Sequence, residues 1–274
     1  MVTLFDIVQY LEDIAPNRLA FAKRKSYVEI GPQSTSDQIK TTVNRVLVAS
    51  YPSARVVTSA TQQKANLLIS NRPIFAAPKK HLSGWDLDRV RLLSKNYIST
   101  YVMSSAWTGA ENGLSDALVE RLGLTHKQQF MTKGEHESLV PAGRIVKTTE
   151  PMNHSRFLNY VADKMNLSSI KFTGQLDQEV EKVLVFPGSL ISKNEILSAL
   201  EKEARTIVTG DATPQTRIIA NERGCNLLEL GSLSTENPGM ERLNNYLNLE
   251  FPELKVFYVE AKPYSRTFCF DRDM

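Results

Sequence analysis

The chain has 274 residues, of which 42% are hydrophobic and 23% are charged, and its formal net charge is +3. This composition is typical of a globular protein and excludes a largely disordered chain, and the length suffices for one large or two modest domains. So small a net charge neither requires nor excludes an anionic partner. Two cysteines, Cys225 and Cys269, are too few for a disulfide framework.

No run of the sequence approaches the roughly 20 apolar residues that a membrane-crossing helix requires. The first six residues, Met-Val-Thr-Leu-Phe-Asp, lack the basic and apolar regions of a secretory signal. We therefore expect a cytoplasmic protein that has no membrane partner.

The first predicted element is a helix, because apolar residues recur at helical spacing from Leu4 to Ile14. Thr3 suits the N-cap of this helix, and Pro16 ends it. A polar stretch follows at residues 22–42, and its basic cluster at residues 23–25 is expected to be a solvated surface patch. An apolar strand is predicted next, at residues 46–49.

Four later places share one plan, in which a short apolar strand is followed by a polar loop and then by a helix. The strands are predicted at residues 65–69, 97–103, 206–208 and 226–230. The helices are predicted at residues 87–94 and 114–122, up to Arg223 before a C-terminal Gly224, and from Pro238 onward. This alternation indicates an α/β fold with helices flanking sheets.

The middle of the chain, residues 131–183, is less regular, with a helix predicted at residues 155–165 and a strand at residues 169–172. We place a boundary between two lobes near this region. The prediction is an N-terminal α/β lobe at residues 1–126 and a C-terminal α/β lobe at residues 127–274.

Ligands of α/β sheets collect at the carboxyl ends of strands, which directs attention to the four strand-to-helix loops. The four histidines of the sequence all lie outside these loops. The acidic residues near them are Glu111, Asp211 and Glu236, with Asp116 further into its helix. A two-metal site needs several imidazoles or carboxylates that converge, so we expect no metal here, with weak binding of a divalent cation through oxygen ligands as the alternative.

The loops carry a family likeness. Residues 65–75, Ala-Asn-Leu-Leu-Ile-Ser-Asn-Arg-Pro-Ile-Phe, look like the Nif-three-like signature in which an apolar strand ends in His-His-Pro. Residues 101–118 resemble the Tyr-x-x-His-Thr-x-x-Asp block of that family and its Gly-hydrophobic-Asn-Asp continuation. Residues 209–215 are similar to its Gly-Asp/Glu-x-x-His-His segment, and residues 231–236 to its Gly/Thr-His-x-x-Thr-Glu block. The end of the first helix, residues 15–20, is also similar.

The resemblance implies a two-lobed α/β subunit with mixed sheets flanked by helices, assembled as a toroidal hexamer. It also implies a dinuclear metal centre between the lobes, from loops near residues 71, 108, 211 and 236. Members of this family are often named GTP cyclohydrolase I type 2 homologues. The family's metal-ligand positions fall here on Asn71, Arg72, Ser104, Thr108, Ser232 and Glu236, and its auxiliary histidine pair falls on Pro214 and Gln215. Glu236 is the one ligand kept, so the resemblance points to a degenerate metal site.

Arg72 brings a fixed positive charge to the place where the family holds cations. One interpretation is an ion pair between Arg72 and Glu236. The other is an anion pocket, in which Arg72 acts with backbone N–H groups at the helix starts near Pro214 and Pro238. Hydroxyl groups would also contribute, from Ser104, Thr108, Ser232 and Ser234. Both interpretations remain open.

The leading hypothesis is an oligomeric binding or scaffold protein without metals that holds an anionic small molecule or a nucleotide by its phosphate at Arg72. The first alternative is a metal-dependent hydrolase of the GTP cyclohydrolase I type 2 homologue kind, with oxygen ligands from Glu236, Asp211 and Glu111. The second alternative is a ring-shaped nucleic-acid-binding protein that uses residues 79–81 and 89–91, although a solvated surface is favoured for these.

Two further expectations concern aromatic residues. Trp85 and Trp107 are expected to be packing residues. The tail after Val259 is expected to add a strand, to contact a neighbouring subunit or to fray.

Overall fold

The first helix begins and ends at the residues predicted from its sequence. In the computed structural model, which describes residues 1–135 and 138–262, α1 (Leu4–Ile14) follows the N-cap Thr3. The Thr3 hydroxyl accepts the Asp6 N–H at 3.2 Å, and the Asp6 carboxylate accepts the Thr3 N–H at 2.8 Å. This reciprocal capping box satisfies N–H groups that have no partner inside the helix. The predicted helix and its cap are confirmed.

Helices and strands alternate along most of the chain. The helices are α1, α2 (Thr35–Lys40), α3 (Ala54–Gln62), α4 (Gly84–Lys95), α5 (Ser104–Gly109), α6 (Leu114–Arg121), α7 (His154–Met165), α8 (Lys193–Glu201), α9 (Pro214–Glu222) and α10 (Ser232–Glu250). The strands are β1 (Tyr27–Ile30), β2 (Arg45–Ala49), β3 (Leu67–Ser70), β4 (Ser99–Val102), β5 (Thr125–Lys133), β6 (Leu139–Lys147), β7 (Lys171–Thr173), β8 (Lys182–Phe186), β9 (Thr206–Thr209), β10 (Asn226–Glu229) and β11 (Lys255–Tyr258).

The first sheet has the order β1-β4-β3-β2-β11. Strands β4, β3, β2 and β11 are parallel, and β1 is antiparallel at one edge. Its central strands read as continuous apolar runs because both faces are covered. Val46 and Val48 join the core that contains α1, whereas Leu47 lies on the opposite face in the core that contains α3.

The second sheet has the order β5-β6-β8-β9-β10-β7, with β8, β9 and β10 parallel and the other pairings antiparallel. Alternate residues again face different layers. Leu184 and Ile207 pack with α8 and α9, while Val183 and Val208 pack with α6 and α7. The expected α/β fold, with two mixed sheets flanked by helices, is confirmed.

The chain does not stay in the second sheet to its end. Strand β11 pairs in parallel with β2, from Lys255 opposite Arg45 to Tyr258 opposite Val48, so the chain returns to the first sheet after α10. The change between sheets occurs at β5, close to the predicted boundary at residues 126 and 127. The predicted division into lobes at residues 1–126 and 127–274 stays a prediction.

The structure differs from the sequence analysis where helices begin. The segment after β4, expected as a loop, turns at Ser104 (φ +53°) and continues as α5. Helix α10 begins at Ser232 and not near Pro238, because Gly231 (φ +84°) turns the chain directly into it. Pro238 therefore lies inside α10. The polar stretch at residues 22–42 contains β1 and α2, which the sequence analysis did not predict.

Two expectations from the sequence concern a membrane-crossing helix and the C-terminal tail. Within residues 1–135 and 138–262, no helix combines the length and the apolar character needed to cross a membrane. The aromatic and basic tail after Lys262 lies outside the described residues, so the expectations for residues 263–274 stay predictions.

Candidate functional site

The carboxyl ends of parallel strands from both sheets open onto one cavity of about 760 Å³. The first sheet contributes Asn71 and Arg72 from the loop after β3, and α5, which follows β4, contributes Ser104 and Thr108. The second sheet contributes the loop after β8, and α10 contributes Glu236. Five of the six positions singled out from the sequence thus line a single cavity.

Arg72 and Glu236 form an ion pair across the base of this cavity. The Nε–H of Arg72 donates to both carboxylate oxygens at 3.0 Å, and Nη2 donates to Oε1 at 2.6 Å. The Glu236 side chain is 4% exposed and that of Arg72 is 26% exposed. Burial acts to lower the pKa of Arg72, but the adjacent Glu236 carboxylate outweighs it and raises the pKa. The contact is the Arg72–Glu236 ion pair that the sequence analysis gave as one interpretation.

Asn71 is buried beside the ion pair, with 7% of its surface exposed. Its backbone is fully engaged, because its N–H donates to the Ala49 carbonyl and its carbonyl accepts the Ser104 N–H at 3.0 Å. The side-chain Oδ1 has no hydrogen-bond partner within the described residues. A buried acceptor without a partner costs about 1–3 kcal/mol, which marks this atom as one that a bound molecule would satisfy.

Ser232 and the secondary positions lie outside the cavity lining, although the Asp211 carboxylate is close enough to help raise the pKa of Arg72. The buried Ser232 donates its hydroxyl and, at 3.0 Å, its backbone N–H to the Asp211 carboxylate, so Asp211 caps the N-terminus of α10. Pro214 and Gln215 are exposed at the start of α9, away from the cavity lining. These four residues are used to start α9 and α10 and do not line the cavity, and their assignment to a ligand site stays a prediction.

The acidic residues proposed as oxygen ligands do not converge. Glu111 is exposed, and the Asp116 carboxylate is held by the buried Arg144 at 3.0 and 2.6 Å. Across residues 1–135 and 138–262, no group of three or more histidine, cysteine, aspartate or glutamate side chains is placed to hold a metal ion.

The wall from the second sheet depends on close packing of backbone. Gly188 adopts φ +81°, donates its N–H to the Thr235 hydroxyl at 3.0 Å, and would place a Cβ 3.0 Å from Oε1 of Glu236. A Cβ on Gly210 would lie 2.2 Å from the Gly188 carbonyl oxygen. Sequence reasoning missed the β8 loop, although the apolar run of β8 ending in Pro-Gly was a usable signal.

The basic segment at residues 23–25 also borders the cavity. Its side chains are exposed, as the sequence analysis expected, but all three line the cavity mouth and are not a remote surface patch. The buried Ser105 fixes this segment: its hydroxyl contacts the carbonyls of Phe21 and Arg24 at 2.8 and 2.7 Å and accepts the Phe21 N–H at 3.0 Å. Lys25 pairs with Glu135 at 2.8 Å.

Three aromatic residues and one acid of the lining were not found from the sequence. Tyr27, Tyr51 and Phe75 line the cavity with Glu29, whose carboxylate accepts the N–H groups of Ile74 and Phe75 at 2.9 and 3.2 Å. Desolvation raises the pKa of Glu29, against the lowering effect of those two hydrogen bonds. These residues come from separate strands and loops, so sequence spacing gave no signal for them.

Two of the basic residues suggested for nucleic acid, Lys79 and Arg89, have structural partners. Arg89 is 1% exposed and donates to the carbonyls of Pro52 and Ile74 and to Asp86, which also pairs with Lys79 at 2.5 Å. Arg89 therefore fixes two loops near the cavity and does not face a phosphate backbone.

The two tryptophans differ from each other. Trp107 is fully buried, as expected for a packing residue. Trp85 is 61% exposed, and its ring packs over the Arg89 guanidinium at the surface and not in a core.

Comparison with known proteins identifies the family. The model of the Duf34/NIF3 (NGG1p interacting factor 3) family matches residues 2–264. The chain belongs to this family. A Clostridium perfringens protein named GTP cyclohydrolase 1 type 2 homolog is 28% identical over 237 residues, which cover 86% of this chain and 87% of that protein. A Methanocaldococcus jannaschii protein of the same name is 22% identical over 243 residues, or 89% and 93% of the two chains.

Solved structures agree with the family assignment at the level of the fold. The crystal structure of a Bacillus cereus protein related to NIF3 has a TM-score of 0.81 at 18% identity, covering 98% of this chain and 99% of that one. At this identity the likeness shows a shared fold, and it carries no ligand or activity to this chain.

The cleft of this Duf34/NIF3 protein does not fit the dinuclear metal centre that the resemblance implied. The Glu236 carboxylate, its one acidic ligand position, is bound through both oxygens by a guanidinium that stays protonated. Asn71, Ser104 and Thr108 offer neutral oxygen atoms, which are weak ligands for the transition metals that histidine-rich sites hold. A cation placed there would also meet the fixed charge of Arg72.

Proposed function

We propose that this Duf34/NIF3 protein is a metal-free binding protein that holds a phosphate-bearing small molecule in the cleft between its two sheets, at Arg72. The observation that carries the proposal is the guanidinium of Arg72, fixed by Glu236 with Nη1 left without a partner among the described residues. A guanidinium oriented in this way offers N–H groups to an anion with little loss of side-chain freedom.

The charges that line the cavity support an anionic ligand. The cations are Lys23, Arg24, Lys25 and Arg72, and the acids are Glu29, Glu135 and Glu236. Glu135 and Glu236 are ion-paired, and Glu29 is turned toward backbone N–H groups. With both members of each ion pair set aside, Lys23 and Arg24 face Glu29, an excess of one positive charge in the lining, and Asp211 adds a negative charge near Arg72 from outside the lining. The two unpaired cations favour a phosphate over a metal ion.

The alternative is the activity named in the curated relatives, GTP cyclohydrolase 1 type 2 homolog, carried out with a metal rebuilt on oxygen ligands. It requires Asp211 and Glu236 to share an ion. The hydrogen bonds of Asp211 to Ser232 and of Glu236 to Arg72 speak against this arrangement.

Elemental analysis after dialysis, paired with calorimetric titration of phosphate compounds, tests the proposal. We expect no stoichiometric zinc, iron or manganese, and binding of inorganic phosphate or a phosphate monoester that weakens at least tenfold in Arg72→Lys, because lysine lacks the Nη1 group and the planar fork. Arg156→Lys, in an exposed pair with Glu150, is the matched control and should bind as the wild type does. Retention of stoichiometric metal would contradict the proposal, and so would failure of every phosphate compound to bind.

The assembly expected from the family resemblance, a toroidal hexamer, belongs to the same proposal. Light scattering coupled to size exclusion should give a mass near six times the 30.8 kDa chain. A monomeric mass at micromolar concentration would remove the oligomeric part of the proposal and leave the ligand site unaffected.

A further inference from the structure

The unpaired acceptor of Asn71 indicates one feature of the ligand, a hydrogen-bond donor. Its Oδ1 is an acceptor, the residue is more than nine-tenths buried, and the atom has no partner among the described residues. Asn71 lines the same cavity as Arg72. A ligand that fits should therefore carry an N–H or O–H donor, which inorganic phosphate alone satisfies poorly once its oxygens have engaged the cations.

The basic residues at the cavity mouth indicate a second feature of the ligand, a negatively charged group. Lys23 and Arg24 line it and have no carboxylate partner within residues 1–135 and 138–262, in contrast to Lys25. Ala22 and Lys23 both adopt left-handed backbone (φ +54° and +56°), an unfavourable conformation for these residue types that the bonds from Ser105 maintain. The segment is thus held in place before any ligand arrives, and its two unpaired cations suit a phosphate dianion.

The aromatic residues of the lining indicate a third feature of the ligand, a flat group. Tyr27, Tyr51 and Phe75 come from β1, the loop after β2 and the loop after β3, and all three contribute to the cavity surface. Tyr27 is 45% exposed. Aromatic rings in a polar cavity bind flat, π-bearing groups, with Arg72 able to add a cation–π contact.

Size distinguishes a whole organic phosphate from a bare ion. The cavity measures about 760 Å³, within the range of roughly 300–1,000 Å³ that is usual for small-molecule sites. A phosphate ion would leave most of this space and all three aromatic rings unused.

We propose that the ligand class of this cleft is the nucleoside monophosphates, with the phosphate bound by Lys23, Arg24 and Arg72 and the base placed against the aromatic rings and donating an N–H to Asn71. This inference rests on the proposed function, since it specifies the phosphate-bearing molecule that the cleft holds. It adds the basic segment as a phosphate-binding element and Asn71 as the residue that selects the organic part.

Titration calorimetry of the full chain with adenosine 5′-monophosphate, inorganic phosphate and adenosine tests the inference. Adenosine 5′-monophosphate should bind at least tenfold more tightly than either fragment, because one molecule then brings the phosphate to the cations and the base to the aromatic rings and Asn71 with a single loss of translational freedom. The double variant Lys23→Ala/Arg24→Ala should weaken binding of adenosine 5′-monophosphate and of phosphate at least tenfold. Arg91→Ala/Lys95→Ala removes the same charge from exposed positions on α4 outside the cavity lining and should change neither.

Asn71→Leu separates the two ends of the ligand. The substitution keeps the volume and removes the acceptor, so binding of adenosine 5′-monophosphate should fall at least fivefold while binding of inorganic phosphate stays unchanged. Asn71→Ala serves in its place if the leucine variant does not fold.

The possible failures are distinguishable. If adenosine 5′-monophosphate binds no better than phosphate, the ligand class is wrong and the proposed function stands. Equal effects of the Lys23/Arg24 and Arg91/Lys95 variants would remove the basic segment from the site. If no phosphate compound binds at all, the proposed function itself fails.

Discussion

The ion pair at the base of the cleft gives the most direct test of the structure. Arg72→Met removes the guanidinium and keeps the length and apolar stem of the side chain. It takes away the three contacts to Glu236, at 3.0, 3.0 and 2.6 Å, and leaves a carboxylate that is only 4% exposed. A charge buried without its partner is strongly unfavourable, since neither water nor another cation replaces the lost hydrogen bonds.

The magnitude follows from the burial of Glu236. Breaking a buried pair by removing one partner costs about 3–5 kcal/mol in the free energy of unfolding. At roughly 2 °C per kcal/mol for a chain of this length, the melting temperature should fall by about 6–10 °C. Arg156→Met is the matched control, because Arg156 and Glu150 are 65% and 68% exposed and their pair contributes at most about 1 kcal/mol.

Urea titrations of four proteins measure this effect: the wild type, Arg72→Met, Arg156→Met and the double variant Arg72→Met/Glu236→Leu. The double variant should recover most of the lost stability, because an apolar pair of similar volume removes the buried charge. If Arg72→Met costs no more than Arg156→Met, then Glu236 is not committed to Arg72 and remains available as a metal ligand. That result would refute the reasoning behind a metal-free cleft.

Two further predictions concern stability. His154 is buried, with Nε2 2.9 Å from the Thr206 hydroxyl, and desolvation lowers its pKa. Below about pH 6.5 the unfolded chain therefore binds more protons at this histidine than the folded chain does. The free energy of unfolding should fall as pH decreases from 7.5 to 5.5. Urea midpoints at these two pH values should show a smaller fall for His154→Gln, and equal slopes would contradict the assignment. Gly210→Ala should be far more destabilising than Gly224→Ala, because its Cβ would lie 2.2 Å from a carbonyl oxygen whereas that of Gly224 would meet its nearest atom at 3.7 Å. Gly224 has φ +65°, so its substitution should cost about 1–2 kcal/mol, and thermal melts that rank the two variants in the reverse order would show the backbone packing to be wrong.

Most strands of the sheet centres were predicted because their signal is local, although the central strand β8 was not. The apolar runs of β2, β3, β9 and β10 are covered on both faces, so each strand consists almost wholly of buried residues. The same local chemistry placed the first helix from its cap and its spacing. The polar edge strand β1 was missed, since half-exposed strands at a sheet edge have no continuous apolar run.

The cleft was predictable only in part. Asn71, Arg72, Ser104, Thr108 and Glu236 were found because each follows a strand within a recognisable motif block. The basic segment at residues 23–25 and the rings of Tyr27, Tyr51 and Phe75 were not found, because they reach the cavity through contacts between residues distant in the chain. The bonds from Ser105 to Phe21 and Arg24, 84 and 81 residues apart in sequence, are of this kind.

The sequence by itself determined the α/β alternation, the family likeness and the loss of histidine from the loops, because residue types and local periodicity carry that information. Only the tertiary structure decided that Asp211 and Ser232 start a helix, that β11 returns to the first sheet, and that Arg72 is held by Glu236. These outcomes depend on which distant segments approach each other. Buried polar groups select their partners from whatever the packed chain brings within hydrogen-bonding distance.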